Sequence, residues 1–304
     1  MMMIFAPSGI GEVTTRTNLI AEILEVVDAD DHGPLADGDI LVITSKIISK
    51  LEGRTAPAED KPRTLAEETV RTVARRGRFA IVETRHGLVQ AAAGIDSSNI
   101  APELILTLPV DPDASARRLH AELTRRTGVR LGVIISDTSG RAWRMGQTDH
   151  AIGLHGLRAM LRYQGMTDGY GNPLQVTAMA VADELAGAAD LVKAKLGGRP
   201  VAVVRGLGPL VTDTTEDSGQ AVYGAAELLR PVEEDLFRLG TRESVIEAIA
   251  TVTGRRDEVE QLFALPVDEL VDTLADGLDP SAARLVRAMV EHACRTSPSA
   301  PGGV

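Results

Sequence analysis

The chain has 304 residues, of which 44% are hydrophobic and only 3% aromatic, and its formal net charge is −11. That length suits one large domain or two smaller ones, with a core built from Val, Leu, Ile and Ala. The acidic balance argues against a nucleic-acid partner, because proteins that grip phosphate backbones carry the opposite sign, but it leaves room for a local cationic cleft that takes a small anion.

The opening "MMMIFAPSGIGEV" has no basic segment followed by a long apolar run, so no signal peptide is expected. No window approaches 18 apolar residues, so no membrane partner is expected either, and the cytoplasm is the expected compartment. "DILVITS" (39–45) is short, apolar and β-branched, which predicts a buried strand. "SKIISKLEGR" follows directly. Lys46 and Lys50 stand four apart, so in a helix they share a face; the stretch reads as a solvated helix start or as a phosphate site. "TLAEETVRTVARRG" (64–77) has apolar residues at helical spacing and ends in glycine, which predicts a helix. The two apolar runs around "TRHG" (84–87) predict a hairpin.

"AAGIDSSN" (92–99) places Asp96 among small residues, as in a turn. "PDASARRLHAELTRRTG" (112–128) predicts an amphipathic helix with Asp113 as a candidate cap. "VRLGVIIS" (129–136) predicts a strand, and the polar cluster beginning at Asp137 marks its expected end. Asp137 and Thr138 are adjacent hard oxygen donors of the kind magnesium or manganese prefers, and Arg141 and Arg144 could neutralise a transferred phosphoryl group. His150 and His155 read as packed or hydrogen-bonded residues and Trp143 as a packing anchor.

"LQVTAMAVADELAGAADLVKAKLGG" (174–198) starts extended and becomes a helix running to Gly197 and Gly198, and "PVAVVRG" (200–206) predicts another strand. After the polar "VTDTTEDSGQAVYGAAE", a helical part is expected from residue 228 to about 292. A single cysteine, Cys294, excludes an internal disulfide and a thiolate zinc site. The patterns for P-loops, G-x-G-x-x-G turns, H-E-x-x-H helices and G-x-S-x-G elbows are missing from the sequence. What recurs is a lysine, carboxylate or arginine just beyond an apolar strand, where open α/β sheets bind ligands; an anionic, metal-associated phosphate ligand is the economical reading.

In this order, "SKIISKLEGR", "AAGIDSSN", "GVIISDTSGRAWRMGQTDHAIG", "VADELAGAADLV" and "VAVVRGLG" closely resemble the coenzyme F-420:L-glutamate ligase family, over roughly residues 4 to 240. The resemblance implies a mixed α/β (α+β), two-lobed fold that forms an intertwined homodimer. It implies an enzyme that adds L-glutamate to the lactyl-phospho end of a deazaflavin acceptor, with GTP cleaved to GDP and phosphate. Two divalent cations (Mn or Mg) and K+ are implied as well. The nucleotide residues fall on Ile10, Gly11, Glu12, Val13, Ser45, Lys46, Lys50 and Asn99. The metal ligands fall on Asp96, Asp137, Thr138 and Glu216, with Asp217 as the alternative to Glu216; Lys50, Arg141 and Arg144 are the candidate catalytic cations. The expected organisation is a ligase-like domain over 1–240, a helical appendage over 241–292 and a disordered tail over 293–304. Some relatives carry a fused flavin-binding domain of about two hundred residues; the sixty or so residues left here are too few to enclose a flavin, so none is expected. A stand-alone ligase of this kind could also serve a different acid and amine, or be a non-catalytic nucleotide-binding relative.

Overall fold

The computed structural model describes residues 1–212 and 224–295. In chain order the strands and helices are β1 (Met3–Phe5), α1 (Leu19–Asp28), β2 (Ile40–Thr44), α2 (Ser45–Leu51), β3 (Thr55–Pro57), α3 (Lys61–Glu68), β4 (Thr69–Arg76), β5 (Phe79–Thr84), β6 (Val89–Ala91) and β7 (Leu104–Leu106). They continue as α4 (Pro112–Thr127), β8 (Gly132–Arg141), β9 (Arg144–His155), β10 (Leu161–Arg162), β11 (Ala178–Met179), α5 (Val181–Lys193), β12 (Val201–Arg205), α6 (Thr241–Val252), α7 (Val259–Ala264), α8 (Val267–Ala275) and α9 (Pro280–Arg295). The fold is mixed α/β. Among the described residues no helix is long and apolar enough to cross a membrane.

Two compact units divide the chain: residues 1–64 with 94–230, and residues 65–93 with 231 onward. The helices after residue 240 therefore share a unit with β4, β5 and β6, a division that does not coincide with a boundary at 240.

The first unit is organised by a five-stranded sheet of order β1-β12-β2-β8-β9, in which only β2 and β8 run parallel. The central strands are apolar along almost their whole length (ILVIT, VAVV) because both faces are covered. Val181, Ala182, Leu185 and Ala189 of α5 form one core with Ile40, Val42, Ile134 and Val204 of the sheet. A bulge in β9 shifts the pairing between Ile135 and Ser136: Ile135 faces Gly153, while Ser136 faces Ala151. One extra residue reverses which face the following side chains occupy, and here it sets Thr138 opposite Asp149.

The second unit holds the antiparallel sheet β4-β5-β6 and α6 to α9, with Ile246, Ile249, Leu262, Phe263, Leu270 and Val290 in its core. Here the structure corrects the helix predicted over 64–77. Residues 69–76 form β4, whose β-branched Thr69, Val70, Thr72 and Val73 suit a pleated strand and pair with the β5–β6 hairpin. The free edge of β4 is covered by carboxylates: Thr72 N donates to Glu260 and Arg75 N to Glu243, at 3.2 and 2.9 Å.

Further expectations are corrected elsewhere. β8 continues through Asp137 to Arg141 and turns back as β9, so the polar cluster is strand rather than a break after one. The cap of α4 is Asp111, which accepts from Ala114 N at 2.9 Å; Asp113 instead accepts from the backbone of Leu154 and Ala225. α5 stops at Lys193 because Ala194 takes a positive φ of 52°, four residues before the predicted glycines. The α-helical part begins at Thr241; before it the chain makes short 3-10 turns at Ala225–Leu228 and Val232–Glu234. α9 carries residues 293–295 as helix rather than disordered tail.

Candidate functional site

Because β2 and β8 are parallel, with Thr44 opposite Ser136, their carboxyl ends open onto the same edge of the sheet. β12 runs the other way, so its amino end reaches that edge too, where Thr44 N donates to Pro200 O at 2.9 Å. Ser45, the first residue of α2, donates its hydroxyl to Asp137 Oδ1 at 2.7 Å. Asp96 arrives from a distant loop: its backbone N–H and C=O both pair with Leu106, and its carboxylate accepts from Ser98 N at 2.6 Å and from Lys46 Nζ at 2.6 Å. Asn99 sits three residues further on with φ +55°, a left-handed conformation that asparagine tolerates.

Burial pushes the Asp137 carboxyl up to about 6, and the neighbouring Asp149 and Asp96 charges add to that push against the Ser45 hydrogen bond and the Lys46 charge. Burial acts in the same direction on Asp96, but the Lys46 and Ser98 contacts outweigh it and hold that carboxyl below the usual range. At Asp149 burial is again outweighed, by the charge of Lys193 and by hydrogen bonds from Thr138, Lys193 and Ser136. Three carboxylates are thus concentrated at one sheet edge, and one of them, Asp137, is disfavoured as an anion. A divalent cation would reverse that penalty, and Asp96, Asp137 and Thr138 supply the hard oxygens such an ion prefers. Among the described residues no set of three carboxylate, imidazole or thiol groups is arranged to hold a metal ion, so a cation here would complete its coordination with phosphate and water, as magnesium commonly does.

A cleft of about 850 Å³ opens beside these groups. It is lined by Ile10, Gly11, Glu12 and Val13 from the chain start, by Lys46 and Lys50 from α2, by Asn99, and by Thr138. Four segments far apart in sequence therefore share one cavity. Ser45, Asp96 and Asp137 are not among its lining residues; Asp96 bonds the lining Lys46, and Asp137 bonds Ser45, the neighbour of Lys46 in α2. The two lysines meet carboxylates: Lys46 bonds Asp96 and the Ser98 hydroxyl, and Lys50 bonds Glu12 at 2.5 Å. Arg141 and Arg144 lie elsewhere, exposed at the tip of the β8–β9 hairpin, where Arg141 donates to Met145 O. Trp143 is 76% exposed in that tip, so it does not anchor the core of this chain. His150 bonds Ser139 at 2.7 Å and His155 packs edge-on against His120, both as expected. Glu216 and its alternative Asp217 lie outside the described residues.

The cleft also contains groups that sequence reading missed: Asp149, Lys193, Lys195 and Arg199. One signal was available. The buried face of α5 runs Val181, Ala182, Leu185, Ala186, Ala189, and the next position in that stripe is Lys193. A lysine in an apolar stripe requires a buried partner, which here is Asp149 at 2.9 Å.

The family model for F420-0:gamma-glutamyl ligase matches residues 64–206. A coenzyme F420:L-glutamate ligase from Methanothermobacter thermautotrophicus is 41% identical over 226 residues, covering 67% of this chain and 86% of the relative. This chain belongs to the F420-0:gamma-glutamyl ligase family. Family members of the same name from Methanosarcina mazei and Archaeoglobus fulgidus are 36% and 37% identical, over 68% and 66% of this chain and 86% and 85% of their own lengths. The family model spans β8 and β9, whose Thr138 and Asp149 line the cleft, as well as Lys193 at the end of α5 and Lys195 and Arg199 beyond it.

Proposed function

We propose that this chain is a GTP-dependent acid–amino-acid ligase that adds L-glutamate to the deazaflavin coenzyme F420-0 through an acyl phosphate. The observation that carries the reading is the shared cleft: Ile10–Val13, Lys46, Lys50, Asn99 and Thr138 line one cavity in a member of this family. Its volume suits a nucleotide with part of a second substrate. Lys46, Lys50, Lys195 and Arg199 provide the cationic wall that a triphosphate and a phosphodiester both need, on a protein whose net charge is −11.

A carboxylate resists attack by an amine because an oxide ion is a poor leaving group. Phosphorylation of the acceptor carboxylate by the γ-phosphoryl group, with departure of GDP, turns that oxygen into part of a phosphate. The glutamate amine then attacks the acyl carbon, phosphate leaves with the C–O electron pair, and the ammonium proton is lost to solvent. The chain's own part is positioning and charge neutralisation: Lys46 and Lys50 hold phosphate oxygens, and the loop from Ile10 to Val13 shapes the nucleotide side. Asp96, Asp137, Thr138 and the acidic position at Glu216 would hold Mn or Mg, which neutralises phosphoryl charge when bound. A K+ requirement, the homodimer and the cytoplasmic location belong to the same proposal by family resemblance.

The test is phosphate release from GTP by the purified full chain with Mn2+ and K+. Release that requires both L-glutamate and F420-0 supports the reading. Turnover only with another acid or amine would make the chain a paralogous ligase, and GTP binding with no turnover on any acid would make it a binding protein.

A further inference from the structure

Asp149 and Lys193 form an ion pair at 2.9 Å in which each side chain is only 4% exposed. A buried pair of this kind is a poor device for stability, since well-packed apolar residues of similar volume commonly do as well or better. Its neighbours give it another role. Lys193 Nζ also donates to Ser136 Oγ at 2.8 Å, and Ser136 Oγ donates to Asp149 Oδ2 at 2.9 Å. The remaining oxygen, Oδ1, receives the hydroxyl of Thr138 at 2.7 Å. A threonine hydroxyl has one hydrogen, and an ionised carboxylate can only accept. The Thr138 hydrogen is therefore committed to Asp149, across the β8–β9 pair. Both lone pairs are left for cations, and one of them already accepts from the ammonium of Lys195 at 2.7 Å.

We propose that Asp149, fixed by Lys193 and Ser136, is a positioning residue that holds the Thr138 hydroxyl as a lone-pair donor toward a divalent cation in the cleft. This rests on reading the cleft as a metal–nucleotide site. A hydroxyl free to rotate would present its hydrogen to the cation for part of the time and bind it less well. Partners that orient ligands in this way typically change metal affinity about 10- to 100-fold.

The experiment titrates the full-length protein with Mn2+, with and without GTP, and reads free Mn2+ by its EPR signal. The replacement Asp149→Val with Lys193→Met removes both charges at near-constant volume and should keep the native circular dichroism and melting behaviour. It is expected to bind Mn2+ about 10- to 100-fold more weakly than the original chain. Asp149→Asn with Lys193→Met also removes both charges but keeps a carbonyl acceptor for the Thr138 hydrogen, and is expected to recover most of that affinity. In a Thr138→Val background, Asp149→Val with Lys193→Met should cause no further loss, because its effect passes through the hydroxyl. A folded Val/Met protein with unaltered Mn2+ affinity would overturn the inference and leave the cleft reading standing. So would equal losses in the Asn and Val versions, which would make the effect one of charge alone. If the unsubstituted protein binds no Mn2+ with or without GTP, the cleft reading fails and the inference with it. Should the Val/Met protein not fold, Asp149→Leu with Lys193→Met is read in the same way.

Discussion

Replacing Lys46 by alanine separates the two tasks that its ammonium can perform. The side chain is 16% exposed, lines the cleft, and bonds Asp96 Oδ2 and Ser98 Oγ, each at 2.6 Å. Asp96 keeps its bond from Ser98 N when Lys46 is lost, so the carboxylate is not stranded. The folding cost should therefore be about 0.5–1.5 kcal/mol, the net worth of a typical hydrogen bond. At roughly 2–4 °C per kcal/mol for a chain of this size, the melting temperature should fall by only a few degrees. Nucleotide binding should suffer more. A charge-assisted contact to phosphate is worth about 1.5–3 kcal/mol, and 1.4 kcal/mol is a factor of ten, so GTP should bind about 10- to 150-fold more weakly. The assay is calorimetric titration of GTP into folded protein at fixed Mn2+ and ionic strength. GTP affinity within twofold of the unsubstituted protein, with the few-degree loss of melting temperature, would show that Lys46 serves only to anchor the Asp96 loop. The phosphate role would then be wrong.

Three further outcomes are expected. Gly153→Ala places a Cβ 2.4 Å from the Pro112 carbonyl carbon and 2.5 Å from its oxygen, so β9 and the start of α4 must move apart; overpacking of this kind costs about 1–3 kcal/mol, read as a lower thermal midpoint. Arg205→Ala removes the guanidinium that bonds both oxygens of Asp39, a carboxylate with no solvent exposure, at 2.9 and 2.7 Å; among the described residues only the Ala36 N–H then remains on that buried charge, and losing the paired cation should cost about 3–5 kcal/mol in chemical denaturation. Burial, and then the adjacent His155, lower His120 to about 4 from an ordinary 6.5. The unfolded chain therefore takes up a proton that the native state refuses, so stability from this residue is full above about pH 6.5 and is lost as pH falls toward 4. Denaturation midpoints measured across that window should fall with pH less steeply in His120→Asn, and an unchanged slope would remove His120 as the cause.

The sequence by itself determined the strands whose pattern no context could alter. "ILVIT" and "VAVVR" are apolar at nearly every position, and both are central strands buried on two faces. It also identified the polar stretches whose residues meet at the cleft, because Lys46, Lys50, Asn99 and Thr138 stand directly beside such strands or in small-residue loops. Only tertiary structure decided the rest. Residues 69–76 have apolar positions at helical spacing but are rich in β-branched residues; the β5–β6 hairpin on one side and Glu243 and Glu260 on the other settle them as a strand. Asp137 and Thr138 interrupt the apolar pattern that marks a strand in the sequence, whereas in the fold β9 returns alongside and pairs them. Lys193 and Asp149 became partners only through a one-residue bulge and the end point of α5, two features set by long-range pairing that no local window of sequence contains.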